Sequence, residues 1–523
     1  MSKVQVRRQR VVEIEAKYCI PDEGTFQRLL ETTALAGFEP GPWSAAVLHD
    51  DYQDTAAWTL RSRGYACRLR RKAGRYRLTI KGLGEVSGAV HRRIEHEADL
   101  PGPLPPREWP PGPARDLVLR LIGDRSLHSL FQIEQTRHNR ILHRAGLPVI
   151  QLSLDRGELL ADGAALSTFL ELEAELLPAG READLTALSR TLEDRWGLQP
   201  QPLSKFERGL RALLDAKPGI TPDDPMSKAG RKVLRLHYRR MLYHEPGARL
   251  GEDIEALHDM RVATRRMRAA FRVFGDAYRR PALRPLLKGL KRTGRALGAV
   301  RDLDVFLEDI HAYRDALPPA RQNDLDPLLT ALGARRQAAR ARMIAYLDKK
   351  KYARFKDRFG RFVLTEGLGS RPVEPVGHVP PPYRVRHVAP LVIYRRWAAV
   401  RAYDEWVRIP NPPLERLHAL RIACKMLRYT LEFFREVLGP PAKPAIKQVV
   451  AMQDHLGAMQ DAVVAGAFLR AFLDEGVGGP GAADYLAARE AGLQRRLEAF
   501  PALWTAFNGP ELGQLIAQSV AQL

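Results

Sequence analysis

Glu13-Ile14-Glu15-Ala16-Lys17 decides how the first two hundred residues are read. In a β-strand alternate side chains share a face. Glu13, Glu15 and Lys17 then point one way, and Ile14 and Ala16 the other. The same alternation recurs downstream in Arg68 and Arg70, in Arg77, Thr79 and Lys81, in Arg93, Glu95 and Glu97, and in Glu171, Glu173 and Glu175. Two arrangements fit. Either a sheet exposes a salt-bridged polar face to water, or a closed barrel turns that face inward around a highly charged ligand.

Outward from that stretch, Asp22 to Ala36 reads as a short amphipathic helix closed by Gly37. His49 to Tyr52 leads to a turn at Asp54-Thr55. Tyr65–Arg71 and Arg75–Lys81 form a hairpin across Lys72-Ala73-Gly74. Ala89–Asp99 is a further strand. A proline-rich stretch, Pro101 to Pro113, precedes a helix over Ala114–Leu121. Leu130–His143, Val149–Leu154 and Ala165–Leu177 bring the strands to about eight, with Asp155-Arg156-Gly157-Glu158 read as a turn. Ala183–Gly197 is helical, and Ser204 caps a last helix to Leu214.

A sandwich needs an apolar interior, so its charged faces would be the wet ones. A barrel of about eight strands encloses one small ligand, and a lumen holding both signs of charge can pair them. Arg and Lys grip phosphate oxygens. Carboxylates on neighbouring strands hold a hard divalent cation. Together they suit triphosphate hydrolysis, with bases neutralising the substrate and a metal polarising the bond to be cut. No single residue stands out as a general base.

These residues resemble, in order, the CYTH superfamily of triphosphate tunnel metalloenzymes. Glu13 to Lys17 is similar to its ExExK signature. Tyr52-Gln53-Asp54-Thr55, Arg68-Leu69-Arg70, Thr79-Ile80-Lys81-Gly82, Arg93-Ile94-Glu95-His96-Glu97, Arg137 with Arg140, Asp155, Glu171 to Glu175 and Ser204-Lys205-Phe206-Glu207-Arg208 follow over residues 9–212. The resemblance implies an eight-stranded antiparallel tunnel binding a triphosphate with Mg²⁺ or Mn²⁺. It implies Glu13, Glu15, Glu171 and Glu173 as metal ligands. It implies Lys17, Arg68, Arg70, Lys81, Arg93, Arg137, Arg140 and Lys205 as phosphate ligands, with Arg137 ahead of Arg140 because the two lie on opposite faces of an ideal strand. Glu95, Glu97 and Asp155 would support the metal side. Glu13, Glu15, Lys17 and Lys81 would carry the catalysis.

The chain has 523 residues and a net charge of +22. Residues 227–523 hold 51 Lys and Arg against 30 Asp and Glu, so nearly all the excess is there, which argues for a polyanionic partner. Hydrophobic content of 45% and charged content of 28% are those of a globular protein. No uninterrupted apolar run approaches the roughly 18 residues of a membrane span. The basic stretch from Met1 to Arg10 has no apolar region of a secretory signal. Three scattered cysteines make neither a metal signature nor a disulfide framework, which fits a cytoplasmic location. The expected organisation is α+β and multidomain: a tunnel domain over 1–212, a Pro-rich linker over 213–226, and an all-α domain over 227–523.

The helical part carries an internal repeat, about 227–366 and 384–523. Leu257-His258-Asp259-Met260-Arg261 echoes Leu417-His418-Ala419-Leu420-Arg421, and Leu297-Gly298 to Asp302 echoes Leu456-Gly457 to Asp461. Two duplicated helical bundles are expected. His258, Arg261, Arg265, Arg268 and Arg272 fall on one helical stripe, as do His418, Arg421, Lys425 and Arg428, while Arg284, Lys288, Lys291 and Arg295 make a third. Like charges so aligned repel unless something negative lies against them. These helices resemble the CHAD domain over most of 227–520. That resemblance implies inorganic polyphosphate as ligand and polyphosphate granules as a location. Nucleic acid is disfavoured, since few aromatics interleave the basic stripes. Two alternatives stand beside the triphosphatase: a class IV type adenylate cyclase, and a polyphosphate-binding protein without turnover.

Overall fold

The computed structural model describes residues 12–87, 89–374, 381–409, 412–476 and 479–523. The basic stretch 1–10 and part of the Gly- and Pro-rich break at 367–383 lie outside the described residues. Two compact units divide the chain, Met1–Ala216 and Lys217–Leu523.

The first unit is built on eight long antiparallel strands: β1 Val12–Cys19, β2 Ser44–Thr55, β3 Tyr65–Lys72, β4 Arg75–Gly82, β5 Val90–Leu100, β6 Leu127–Arg144, β7 Leu147–Ala161 and β8 Ala164–Leu176. They pair in the order β1-β8-β7-β6-β2-β3-β4-β5, and β5 pairs again with β1, from Val12 opposite Ile94 to Ala16 opposite Val90. The pairing therefore runs full circle. Three tight hairpins make this possible. Ala73-Gly74, Ala145-Gly146 and Asp162-Gly163 each place two successive residues at positive φ, a turn whose twist matches that of the flanking strands.

The apolar face of the strands points outward. Ala16, Tyr18, Leu152, Leu154, Leu172 and Ala174 pack under helices α1 (Glu23–Glu31) and, further along the chain, Glu182–Asp194. Cys67, Leu69, Leu78 and Ile80 pack under α2 (Pro113–Ile122); the helix Glu182–Asp194 is α3. Burial of these apolar faces at roughly 25 cal/mol per Å² is what a barrel with a charged lumen has in place of an apolar centre. Helix α4, Lys205–Asp215, begins at a capping box in which Ser204 and Glu207 satisfy each other's backbone amides. Its Gly209 lies against Phe131 of β6 so closely that an added Cβ would stand 2.2 Å from the ring.

One local expectation is corrected. Asp155-Arg156-Gly157-Glu158 is the middle of β7, not a turn, and the chain reverses at Asp162-Gly163. Gly157 is there because the ring of Phe169 on β8 occupies the place of a Cβ, 2.5 Å away.

The second unit is helical: α5 Met226–Leu250, α6 Ile254–Phe274, α7 Arg280–Asp315, α8 Asp326–Leu347, α9 Lys350–Leu364, α10 Val385–Arg401, α11 Leu414–Phe434, α12 Ala442–Asp474, α13 Gly479–Phe507 and α14 Pro510–Val520. The duplication is visible in the elements. The paired helices α6 and α11 have 21 residues each, and the long helices that follow, α7 and α12, have 36 and 33. By length and composition α12 is apolar enough to cross a membrane, yet one side of it packs into the bundle through Val449, Met452, Leu456, Leu469 and Phe472.

Candidate functional site

The register of the strands carries charge from one to the next around the ring. Lys17 lies opposite Glu173, and Glu15 opposite Glu175. Glu171 lies opposite Asp155, and Asp155 opposite Arg137. Asp50 lies opposite Arg70, Tyr52 opposite Arg68, Arg68 opposite Thr79, and Lys81 opposite Glu95. The cavity inside the ring has a volume of about 960 Å³, within the range of small-molecule sites. Among the described residues its charged lining is Lys17, Arg68, Arg70, Arg77, Lys81, Arg137 and Lys205 against Glu13, Glu15, Glu95, Glu97, Glu173 and Glu175. Seven bases face six acids, so the wall is close to neutral and densely ionic.

The ion pairs divide into three groups. At one, Lys81 Nζ stands 2.8 Å from Glu13 and 3.4 Å from Glu95, while Lys17 Nζ stands 3.1 Å from Glu15 and 2.8 Å from Glu173. At the second, Arg70 forks onto Asp50 and Arg68 donates to Thr79 Oγ1 at 3.1 Å. At the third, Lys205 and Arg137 converge on Asp155 and Glu173, and Arg208 meets Glu171. Phe206, Phe131 and Tyr52 stack beside them, the last two with ring centres 4.8 Å apart.

Titration follows these partners. Burial would raise Asp50, but Arg70 and Arg68 outweigh it and hold the carboxyl at about 2. Burial likewise opposes ionisation of Asp155 and Glu173, yet Arg137, Lys17 and Lys205 keep both below the usual range. Glu171 beside them is raised by burial despite Lys205 and Arg208, and the β1 side behaves like it. Burial, with Glu15 and Glu95 nearby, raises Glu13 despite Lys81. Burial and the charge of Glu13 push Glu175 up to about 7. Carboxylates crowded together in this way mark a place where positive charge is favourable. Hard oxygen donors of this kind suit Mg²⁺ or Mn²⁺. A second acidic group, Asp155, Glu171 and Glu173, has its oxygens within 4.8 Å of one another.

Most of the expected tunnel residues meet in this cavity: Glu13, Glu15, Lys17, Arg68, Arg70, Lys81, Glu95, Glu97, Arg137, Glu173 and Lys205. Asp155 and Glu171 are fully buried behind it. Arg140 is elsewhere. It points away from the lumen, donating to the Thr32 carbonyl at 2.9 Å, with its guanidinium 4.2 Å from the Trp43 ring centre. No bulge separates it from Arg137, so strand parity sends the two to opposite faces. Arg93 pairs with Glu13 in backbone register, and its side chain lies outside the described ones. Asp50 belongs to the site and is not singled out by the sequence, while Arg77, Glu175 and Arg208 are quoted there in the charge alternation or the late motif without a ligand role.

In the helical unit, the stripes of the two repeats meet. Lys425 is half-buried on α11, and its neighbours in charge are Arg265, Arg421, Arg261 and Arg428. Burial and then those four cations push its ammonium down to about 7. The buried Nε atoms of Arg265 and Arg421 have no hydrogen-bond partner among the described residues. Arg261 reaches Asp302 at 3.1 Å, Arg428 reaches Glu432 at 2.8 Å, and His418 Nδ1 meets Gln460 Oε1 at 2.7 Å. His258 lies within 3.5 Å of Glu255 and 3.4 Å of Asp259. Arg268 and Arg272, with Arg295 of α7 beside them, make a second cationic patch, and Lys288 and Lys291 are exposed on α7.

Comparison with known proteins agrees with this division. Residues 12–210 match the family described as the CYTH domain, and residues 232–470 the family described as the CHAD domain. An uncharacterised protein of Mycobacterium tuberculosis strain H37Rv is 24% identical over 376 residues, covering 68% of this chain and 69% of that one. Among solved structures, the chain is similar to the CHAD domain of the plant Ricinus communis, with 25% identity, 58% and 95% of the two chains covered and a TM-score of 0.42. It is also similar to a Hippeastrum protein described as a putative adenylyl cyclase with a dominant triphosphatase activity, with 20% identity, 38% and 94% covered and a TM-score of 0.29.

Proposed function

The chain carries a CYTH domain followed by a CHAD domain, and on that premise we propose that it hydrolyses inorganic triphosphate, or a similarly compact triphosphate, in the tunnel. The observation that carries this reading is the lining of the cavity, where Lys17, Arg68, Arg70, Lys81, Arg137 and Lys205 converge in one space with carboxylates. A chain of phosphates offers those cations a multivalent replacement for their present partners. Arg70 and Arg68 are held in place by Asp50, and Arg137 by Asp155, so they meet an entering anion preoriented. Such fixed donors stabilise the charge that builds on the leaving diphosphate. Glu13 and Glu15 would hold Mg²⁺ or Mn²⁺, which when bound supplies charge neutralisation at the phosphate to be cut.

The helical domain, in the same proposal, binds long polyphosphate. Its support is the cluster of Arg261, Arg265, Arg421, Lys425 and Arg428, brought together from both repeats, with two guanidinium donors unmatched. Five cations share fewer acids, Asp302, Glu432 and Asp461 among the described residues, and such an excess is costly unless a polyanion lies on it.

A hydrolysis screen tests the tunnel reading. Purified chain is given triphosphate, ATP, thiamine triphosphate or long polyphosphate, each with Mg²⁺, Mn²⁺ or chelator. Phosphate release from triphosphate, abolished by chelator and by Glu13→Ala or Glu15→Ala, is expected. Cyclic AMP from ATP would make the tunnel a cyclase. Absence of turnover on every triphosphate, with polyphosphate still bound, would reduce the protein to a binder.

A further inference from the structure

Helices α6 and α11 are tied together through one acid. Glu432 receives Arg428 of its own helix at 2.8 Å and Arg266 of α6 at 2.7 Å. Beside that tie, Arg261 and Arg265 of α6 stand with Arg421, Lys425 and Arg428 of α11. The two outer arginines are seated on glycines. Arg261 Nε lies 3.5 Å from the place of a Cβ at Gly298 of α7, and Arg421 Nε lies 3.7 Å from the same place at Gly457 of α12. One turn further on, Asp302 meets Arg261 at 3.1 Å and Asp461 acts on Arg421. The echoed glycine and aspartate of the two repeats therefore orient a guanidinium group each.

Lys425 is at the centre of this arrangement and differs from its neighbours. The acids fall on the arginines: Asp302 on Arg261, Asp461 on Arg421, and Glu432 with Asp454 on Arg428. The charges that act most on Lys425 are Arg265, Arg421, Arg261 and Arg428, with no carboxylate among them. It is half-buried, and its Nζ is not sealed from solvent. Burial and the four guanidinium groups bring its ammonium from 10.5 down to about 7, so the free amine is well populated near neutral pH. A lysine desolvated beside other cations is a nucleophile. The guanidinium groups of Arg265 and Arg421 form no hydrogen bond with another described residue, so both keep donors for an anion.

We propose that Lys425 is a site of modification by small acyl phosphates, its Nζ taking the acyl group while Arg265 and Arg421 hold the phosphate that departs. This rests on the reading of the cluster as an anion site. The amine lone pair attacks the carbonyl carbon. The bond from that carbon to the bridging phosphate oxygen breaks, and inorganic phosphate leaves with the proton that nitrogen gives up. An amide results, and nothing is oxidised or reduced. The amide carries no charge, so an acylated cluster grips a polyanion less well.

The test gives the full chain acetyl phosphate and follows acetylation at each lysine by peptide mass spectrometry. At pH 8 Lys425 is expected to react roughly tenfold faster than Lys351 of α9 and Lys443 of α12, which are both exposed. Its rate is expected to rise through about pH 7 and then level off. Long polyphosphate, added first, is expected to protect it. At pH 9, where the amine is free, Arg421→Gln is expected to slow the reaction with acetyl phosphate about threefold. The same variant is expected to leave the reaction with N-hydroxysuccinimide acetate, a donor without phosphate, unchanged. Thermal unfolding checks that the variant is folded, and Arg265→Gln tests the same point if it is not. A rate at Lys425 no greater than at Lys351 and Lys443, or an equal loss with both donors in a folded variant, overturns the proposal. Polyphosphate binding by the native chain alongside that result overturns the acylation alone. Absence of polyphosphate binding as well overturns the reading of the cluster.

Discussion

Arg70 lies fork against fork on Asp50, its Nε 2.6 Å from Oδ1 and its Nη2 2.7 Å from Oδ2. Asp50 is almost wholly buried and has Arg68 at 3.9 Å as a second partner. It therefore fixes two of the cations proposed to receive phosphate, without being one of the acids proposed to hold metal.

Removing that carboxylate leaves two half-buried guanidinium groups short of a partner. Asp50→Ala is expected to destabilise the tunnel unit by about 3–5 kcal/mol, read as a fall in the midpoint of chemical unfolding. A loss below about 1 kcal/mol would mean the arginines find water instead.

The same residue predicts an acid limb. Its folded pKa, at about 2, lies below the ordinary value of 3.8. The stability it contributes is present above about pH 4 and is lost as pH falls through about 2. The shift corresponds to about 2 kcal/mol. Asp50→Asn is expected to flatten the decline in stability over that window relative to the native chain, measured by denaturant titration at stepped pH.

Gly209 tests the seating of α4. A methyl group there meets the Phe131 ring at 2.2 Å. Gly209→Ala is expected to cost about 1–3 kcal/mol through overpacking, although alanine favours the helix. If thermal unfolding shifts upward instead, the helix is not held against β6 as described.

Lys425 predicts proton uptake. Its folded pKa is pushed from 10.5 down to about 7 by burial and four neighbouring guanidinium groups. From about pH 7 to 10 the folded chain therefore carries fewer protons here than the unfolded chain, and stability contributed by this group rises with pH across that window. A polyanion on the cluster restores the charged form. Polyphosphate binding at pH 8 is expected to take up close to one proton, seen by calorimetry in buffers of different ionisation enthalpy, and Lys425→Met is expected to abolish the uptake.

Arg265 and Arg421 predict the salt response. If each engages a phosphate, replacing either by alanine lowers the slope of log affinity against log salt by roughly 0.7. An unchanged slope with weaker binding would assign them to packing.

Much of the barrel was legible because its signal is local. Charge at every second position, with Ile14, Ala16, Leu69 and Ile80 between, fixes two faces without reference to any other strand. Ser204 announced its helix in the same way. What failed was non-local. Arg156-Gly157 reads as a turn until Phe169 on the next strand is seen to need the glycine. Asp50 and Asp51 are adjacent acids on opposite faces of β2, and periodicity alone does not say which one is inside. The choice among Glu171, Glu173 and Glu175 depends on the β1–β8 register, which no single stretch encodes. In the helical unit the three-and-four spacing gave the stripes of α6 and α11. That Arg265 and Lys425 stand together follows from how two distant helices pack, which their spacing does not contain.

Behind Lys205, Asp155 and Glu171 have no solvent exposure, and the ring of Phe131 leaves α4 no slack at Gly209. That wall is ion-paired on its lumen side and ring-packed at its helix, so an anion arriving at Lys205 would have to take the place of a carboxylate instead of pushing the helix aside.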